Sequence, residues 1–366
     1  MITISLCMIV RNEAKNLSRC LDSVRDLVEE IVIVDTGSTD ETKEIASRYT
    51  DRIFDFVWVD DFAAARNYAF SKATMDYCMW LDGDDVVELE DQKRFLSLKK
   101  SLSSQVDMVM LRYHTAFDSF DKPAFTYYRE RLVRRGAGFR WEGAVHEAIV
   151  PSGVVVYDET AVTHRKTGPG DPDRNLRIFR RLLEAKKELS PREQFYYARE
   201  LTYHGEDREA ARIFEAFLDS GQGWVENQLE ACRNLAQCYF RLGQPERAFI
   251  ALLRSLRYGP PRAELCCEVG KFFFDRDDYR SAAFWYERAL ACQREDTSGG
   301  FIIPDCYDYL PCLQLCVCYY RMGDVERAEA YNELAGITKP ADTAYLFNKQ
   351  FFREKRQRAC IKKEEV

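Results

Sequence analysis

The chain has 366 residues, 46% hydrophobic and 31% charged, with a formal net charge of −7. That length favours two domains over one, and the composition supplies both apolar cores and soluble surfaces. The acidic balance argues against a nucleic-acid partner, since phosphate binding relies on clustered cations. No apolar run reaches the roughly 18 to 20 residues of a transmembrane segment.

The first apolar stretch, Ile2 to Val10, has no basic segment before it and no small-residue cleavage site after it. It reads as a strand and not as a signal peptide. Asn12 to Arg25 follows as a helix, with Ala14, Leu17, Leu21 and Val24 on one face. Glu30 to Asp35 has the pattern of a buried strand. Ser38-Thr39-Asp40-Glu41 has capping-box spacing, so a helix is expected to begin there. Ile53 to Val59 reads as a third strand, Phe62 to Ala73 as a helix and Tyr77 to Leu81 as a fourth strand. A later strand, Val154 to Thr163, ends at His164. This alternation predicts a parallel or mostly parallel sheet with right-handed crossovers, binding its ligand at the carboxyl ends of the strands.

From about residue 175 the strand patterns stop and a repeat begins. Gly205, Gly243, Asp277 and Gly323 are each followed five residues later by an alanine: Ala210, Ala248, Ala282 and Ala328. Gly243 and Asp277 are 34 residues apart, the period of tetratricopeptide (TPR) helix pairs, and loops stretch the other spacings. The alternative is an ordinary helical bundle. Arg294 to Asp305 reads as a loop, and the charge run from Arg353 as a fraying tail. The thirteen cysteines form no CxxC pair and have no histidine at zinc-finger spacing. Most lie in apolar helical stretches, as reduced core residues of a cytoplasmic protein would.

Chemistry concentrates at Trp80-Leu81-Asp82-Gly83-Asp84-Asp85, after the fourth strand. In an extended chain Asp82 and Asp84 would face the same way, and their hard oxygens suit Mg²⁺ or Mn²⁺ completed by substrate phosphates. The alternative is a plain acidic turn. An EF-hand fails because Lys93 stands where a bidentate glutamate is needed. A dinucleotide site fails because no Gly-x-Gly-x-x-Gly follows the first strand.

Four segments occur in order: Arg11-Asn12-Glu13-Ala14, Ile33-Val34-Asp35-Thr36-Gly37-Ser38-Thr39-Asp40, Phe62-Ala63-Ala64-Ala65-Arg66-Asn67, and Asp82-Gly83-Asp84. Together they resemble family 2 glycosyltransferases of the GT-A fold. Trp141-Glu142-Gly143-Ala144-Val145-His146-Glu147 resembles the WxGxVHE segment of the bacterial branch with C-terminal TPRs, which includes peptide S-glycosyltransferases. The resemblance implies a GT-A α/β domain over residues 1–170, TPR-like repeats over 175–340 and a charged tail over 341–366.

It also implies an inverting, metal-dependent enzyme that takes a sugar from a nucleotide-sugar donor, a UDP-sugar, to a peptide, protein or glycan acceptor. Asp35 would bind the uracil or ribose, with Arg11 lining the same pocket. Arg66 would reach the base or diphosphate, Asp82 the ribose or metal shell, and Asp84 the Mn²⁺ or Mg²⁺ itself. Read without the resemblance, Asp35 could equally cap a helix and Arg66 form a surface ion pair.

Inversion needs a base; Glu147 is the first candidate and His146 the second. His164 is either a late ligand of the metal or diphosphate or a core histidine. Arg129, Arg131, Arg134 and Arg135 form a basic run that either guides phosphates or is a solvated face. Arg140-Trp141 echoes the QxxRW signature of processive synthases, but Ala137 replaces the glutamine. Thr36 stands where many relatives have a second aspartate. The repeats are expected to bind the acceptor or to form a homodimer. The rival functions are a TPR scaffold with an inactive transferase domain and a nucleotidyltransferase, which would carry a Gly-rich basic first loop.

Overall fold

The computed structural model describes all residues except 118–120, 122, 169, 186–187, 296, 298 and 365–366. The chain divides into two compact units, Met1–Tyr197 and Ala198–Val366.

The first unit is organised by an eight-stranded sheet. Strands β1 (Ile4–Val10), β2 (Glu30–Asp35), β3 (Ile53–Asp55) and β4 (Tyr77–Met79) are parallel neighbours in the order β3-β2-β1-β4. Helices α1 (Leu17–Val24), α2 (Thr42–Ala46) and α3 (Phe62–Ser71) connect them. These strands are apolar on both faces because helices cover both. Ile4, Leu6 and Met8 of β1 pack with Leu17, Leu21 and Val24 of α1, while Cys7 faces the other way, with Val32, Val34 and Ala69.

The chain continues through β5 (Asp85–Val86), α4 (Leu89–Ser101), β6 (Met108–Phe117), β7 (Pro123–Arg134), β8 (Trp141–Glu142), β9 (Ala148–Ile149) and β10 (Val155–His164). The sheet extends as β4-β7-β6-β10-β5, with β7 antiparallel to both its neighbours and β5 antiparallel to β10. The sheet is therefore mixed: its first half is all parallel, and in its second half only β6 and β10 pair in parallel. The short β6–β7 connection has no room for a crossover, so that pair must be antiparallel. Strands β8 and β9 form a separate pair.

Three element boundaries differ from the sequence reading by four residues or more. Helix α1 starts only at Leu17, and α2 at Thr42 instead of at the Ser38 box. In both cases the polar residues before the helix are committed to hydrogen bonds between loops, described below. Strand β3 stops at Asp55 because the next aromatics turn onto α3: Phe56 lies 5.4 Å from Tyr68 and Trp58 4.8 Å from Phe62. The first unit closes with α5 (Arg174–Glu184) and the beginning of α6 (Pro191–Tyr203).

The second unit contains α7 (Asp207–Ser220), α8 (Val225–Arg241), α9 (Pro245–Arg254), α10 (Ala263–Phe274), α11 (Tyr279–Leu290), α12 (Tyr309–Arg321), α13 (Val325–Thr338) and α14 (Thr343–Glu364). Consecutive helices pair as α8 with α9, α10 with α11 and α12 with α13. All four marker positions have left-handed backbones: φ is 73° at Gly205, 70° at Gly243, 60° at Asp277 and 88° at Gly323. At each, the next amide bonds back to the carbonyl five residues earlier (Glu206 to Leu201, Gln244 to Tyr239, Asp278 to Phe273, Asp324 to Tyr319), which is the Schellman closure of a helix. The four alanines are fully buried, so the second helix of each pair can approach the first closely. This is a TPR-like array. The segment from Arg353, expected to fray, continues α14.

Asp277 is the one marker that is not glycine, and a side chain in the left-handed region is disfavoured. Asp277→Gly is expected to stabilise the repeats by about 0.5–1 kcal/mol, read as a rise in thermal midpoint. A fall would show that the Tyr279 hydroxyl bond to Asp277 outweighs the backbone strain.

Candidate active site

The strand order brings the carboxyl ends of β2, β1 and β4 side by side, and the loops that leave them are laced together. The Asn12 carboxamide oxygen accepts from the Thr39 amide at 2.8 Å, and the Asn12 amide donates to Ser38 Oγ at 3.0 Å. The Glu13 amide donates to Thr42 Oγ1 at 2.8 Å and the Ala14 amide to Asp40 Oδ2 at 3.2 Å. The segments that follow β1 and β2 are thus two halves of one polar clasp. Below it sits Asp35, buried at the end of β2. Its Oδ2 accepts the Gly37 and Ser38 amides, each at 3.0 Å, while its Oδ1 is buried with no partner. Asp35 therefore shapes the turn after β2 and does not cap α2. A buried acceptor without a donor is costly, and here it suits the N–H of a base or a ribose hydroxyl. Arg11 is exposed beyond β1 and makes no hydrogen bond or ion pair among the described residues.

The acidic segment after β4 is a turn, not an extended strand: the Asp85 amide bonds to the Asp82 carbonyl at 3.0 Å. Asp82 and Asp84 consequently have different partners, contrary to the alternation expected from the sequence. Strand β5 pairs with the end of β10 so that His164 lies opposite Asp85. His164 Nδ1 is 3.3 Å from both Asp84 Oδ1 and Asp85 Oδ1. Hydrogen bonds to Asp84 and Asp85 push the His164 pKa up to about 10.

Asp84, Asp85 and His164 have ligand atoms all within 4.8 Å of one another. Glu13 adds a third carboxylate to the neighbourhood and packs so closely that a methyl on Gly83 would meet its Cγ at 2.7 Å. Burial raises the Glu13 pKa, and the charges of Asp84 and Asp82 add to the rise despite the Asn16 hydrogen bond. An acidic group of this kind could hold a cation. Asp85 is already engaged, accepting from Arg131 at 3.0 Å and Tyr113 at 2.9 Å. Asp84 and His164 are therefore the donors best placed for a metal, a hard oxygen and an imidazole.

Arg131 is the residue the sequence reading placed wrongly. It neither guides phosphate nor faces solvent: it is fully buried and donates to Asp85 and to the Trp80 carbonyl. Its guanidinium stacks on Trp80 at 3.7 Å and on Tyr113 at 4.3 Å. Arg129 is paired with Glu130, and Arg134 with Asp107. Arg131→Met should strip Asp85 of its fully buried guanidinium partner, costing about 3–5 kcal/mol. Calorimetric unfolding would show this as an early transition of the first unit. Adding Asp85→Leu should recover part of the loss, and no recovery would mean that the pair is not the cause.

Helix α3 carries the other half of the site. The Asn67 side chain takes both the amide and the carbonyl of Trp141 at 2.9 Å, acting as a strand edge for β8. Its neighbour in the helix, Arg66, is buried between Trp80 and Trp141, 4.7 and 4.9 Å from their ring centres. Arg66 Nε donates to Glu147 Oε1 at 2.6 Å and Nη2 to Asp82 Oδ1 at 2.7 Å, while Nη1 is buried without a partner. Burial works against its charge, but Asp82 and Glu147 hold its pKa above the ordinary value. Burial likewise opposes the Asp82 charge, yet Arg66, Arg131 and Arg129 bring that carboxyl down to about 2. Arg66 is thus a clamp across the site and not a surface ion pair.

His146 precedes Glu147 with φ of 53°, in the left-handed region. Such a backbone costs a non-glycine residue roughly 1–2 kcal/mol and concentrates at functional sites. The His146 ring stacks on Tyr196 at 4.4 Å, so it lies against α6, while Glu147 turns towards Arg66.

Residues 5–151 match the family described as Glycosyl transferase family 2. The chain is 38% identical over 151 residues to a TPR repeat-containing protein of Synechococcus elongatus, covering 41% of this chain and 36% of that one. It is 27% identical over 223 residues to the SPbeta prophage-derived glycosyltransferase SunS of Bacillus subtilis, covering 57% and 51% respectively. The chain thus spans about a third to a half of the length of these relatives. Among solved structures, a tetratricopeptide repeat protein from Parabacteroides merdae aligns at 16% identity with a TM-score of 0.40, covering 54% of this chain and 73% of that one. With its mixed GT-A-like sheet, its laced strand-end loops and the match over residues 5–151, the chain carries at its N-terminus a domain similar to glycosyl transferase family 2, and TPR-like helical repeats follow it.

Proposed function

We propose that the chain transfers a sugar with inversion from a UDP-sugar to a hydroxyl or thiol of a peptide, protein or glycan acceptor, with Mn²⁺ or Mg²⁺ at Asp84 and His164. The carrying observation is the Asp84–Asp85–His164 cluster at the strand ends, beside the unpartnered oxygen of Asp35. In this reading Asp35 Oδ1 receives the nucleoside, with Arg11 beside it, and Arg66 holds Asp82 and Glu147 in fixed relation. Asp82 contributes to the ribose or metal shell. A divalent cation bound there would neutralise the charge growing on the departing diphosphate. Glu147, clamped at one oxygen and making no hydrogen bond at the other among the described residues, is placed to take the acceptor proton, with His146 as the second candidate.

The transferase domain in this reading comprises about residues 1–170 together with α5 and the start of α6, because the first compact unit runs to Tyr197. The repeats that follow, from Ala198 to about residue 340, would hold the acceptor or a second copy of the chain, since a TPR array offers a concave protein-binding surface. A cytoplasmic setting is supported by the twelve described cysteines, all free. Among the described residues no helix is long and apolar enough to cross a membrane.

Calorimetry with UDP in the presence of Mn²⁺, Mg²⁺ or a chelator tests the core of this reading. UDP should bind with metal and lose most of its affinity under chelation. Equal affinity in all three conditions would remove the metal from the mechanism, and no binding in any would remove the donor.

A further inference from the structure

The turn that delivers Glu147 contains two left-handed residues, Gly143 at φ 96° and His146 at φ 53°. Glycine takes such a backbone freely, whereas histidine must be held in it. On one side the hold comes from α3, whose first amide, Phe62, donates to the Ala144 carbonyl at 2.9 Å. On the other side it comes from α6. Arg192 Nη2 donates to the His146 carbonyl at 2.9 Å, and the His146 ring stacks on Tyr196 at 4.4 Å and 17°. The two α6 residues brace each other, with the Arg192 guanidinium 4.8 Å from the Tyr196 ring centre. The carbonyl that Arg192 grips belongs to the peptide leading into Glu147, so a change there rotates the residue that bonds to Arg66.

We infer that Arg192 and Tyr196 are positioning residues of the transfer reaction: they lock His146 in its left-handed conformation and so aim the Glu147 carboxylate. This rests on the reading of the site as a glycosyltransferase, and it makes the first two turns of α6 part of the transferase machinery. Neither residue bonds to Asp35, Asp84 or His164, so neither should matter for donor binding.

The test uses the full chain carrying Arg192→Met, Arg192→Lys or Tyr196→Leu. UDP affinity with Mn²⁺, turnover of a UDP-sugar (screened among UDP-glucose, UDP-galactose and UDP-N-acetylglucosamine), and hydrogen–deuterium exchange over residues 143–149 are measured for each. Arg192→Met and Tyr196→Leu are expected to lower kcat by ~10-fold or more with unchanged UDP affinity and faster exchange in that segment. Arg192→Lys, which can still donate to the carbonyl, should recover part of kcat. Unchanged exchange overturns the proposed lock. Faster exchange with an unchanged kcat, or no recovery with lysine, overturns the positioning role. A wild-type protein that neither binds UDP nor consumes any of the three sugars overturns the transferase reading instead, and this inference falls with it.

Discussion

Asp84→Ala is expected to abolish the metal-dependent part of UDP binding and to lower sugar turnover by ~10²-fold or more, as removal of a preorganised electrostatic group does. The expectation depends on where the residue stands. The Asp84 side chain is 19% exposed, and its ion-pair partner is His164 at 3.3 Å, so no apolar packing depends on it. Asp85, one residue on, is a poor target for the same experiment. It is fully buried and holds Arg131, Tyr113 and the Asp82 amide, so its loss would disturb the fold along with any metal. The thermal midpoint of Asp84→Ala should therefore stay close to that of the wild type while the Mn²⁺ dependence of UDP affinity disappears. A folded mutant with normal turnover would exclude Asp84 as a ligand and leave the cation to Asp82 or Glu13.

The features legible in the sequence are those set by local chemistry. Glu30–Asp35 is a strand with the expected limits because six residues buried on both faces admit few other readings. The four left-handed turns were legible because each marker precedes, at a fixed distance, an alanine that must be small for two helices to touch. His164 was legible because it ends a strand, although only the pairing of β10 with β5 shows what it faces. The Asp82–Asp85 turn was legible only as the alternative to an extension of β4. Gly83 between two aspartates is the turn signal that should have weighed more.

Arg131 was illegible for a deeper reason. In the sequence it belongs to a run of arginines, and such a run normally faces water. Its burial depends on Asp85, Trp80 and Tyr113, which reach it from two other segments of the chain. The Arg129-Glu130-Arg131 alternation inside a strand covered on both faces was the available hint. The contact of α6 with His146 left no local trace at all, because stacking on Tyr196 is decided only once the two segments meet.

Glu147→Gln is expected to remove sugar transfer by roughly 10² to 10⁴-fold, the usual loss for a general base, while UDP affinity with Mn²⁺ stays near that of the wild type. The geometry makes the substitution a clean one. Glu147 Oε1 accepts from Arg66 Nε at 2.6 Å, and the glutamine carbonyl can accept the same bond. Arg66 keeps its other partner, Asp82 at 2.7 Å, so the clamp across the site survives and only the proton acceptor is lost. His146 is the competing base and needs a matched control. His146→Asn is preferable to alanine, because asparagine tolerates the left-handed backbone that the position requires. Donor affinity, donor hydrolysis and acceptor transfer measured on both variants separate the roles. A dead Glu147→Gln beside a His146→Asn that retains most of its transfer assigns the proton to Glu147. The opposite pattern hands it to His146, and Glu147 then serves as the partner that holds Arg66 in place.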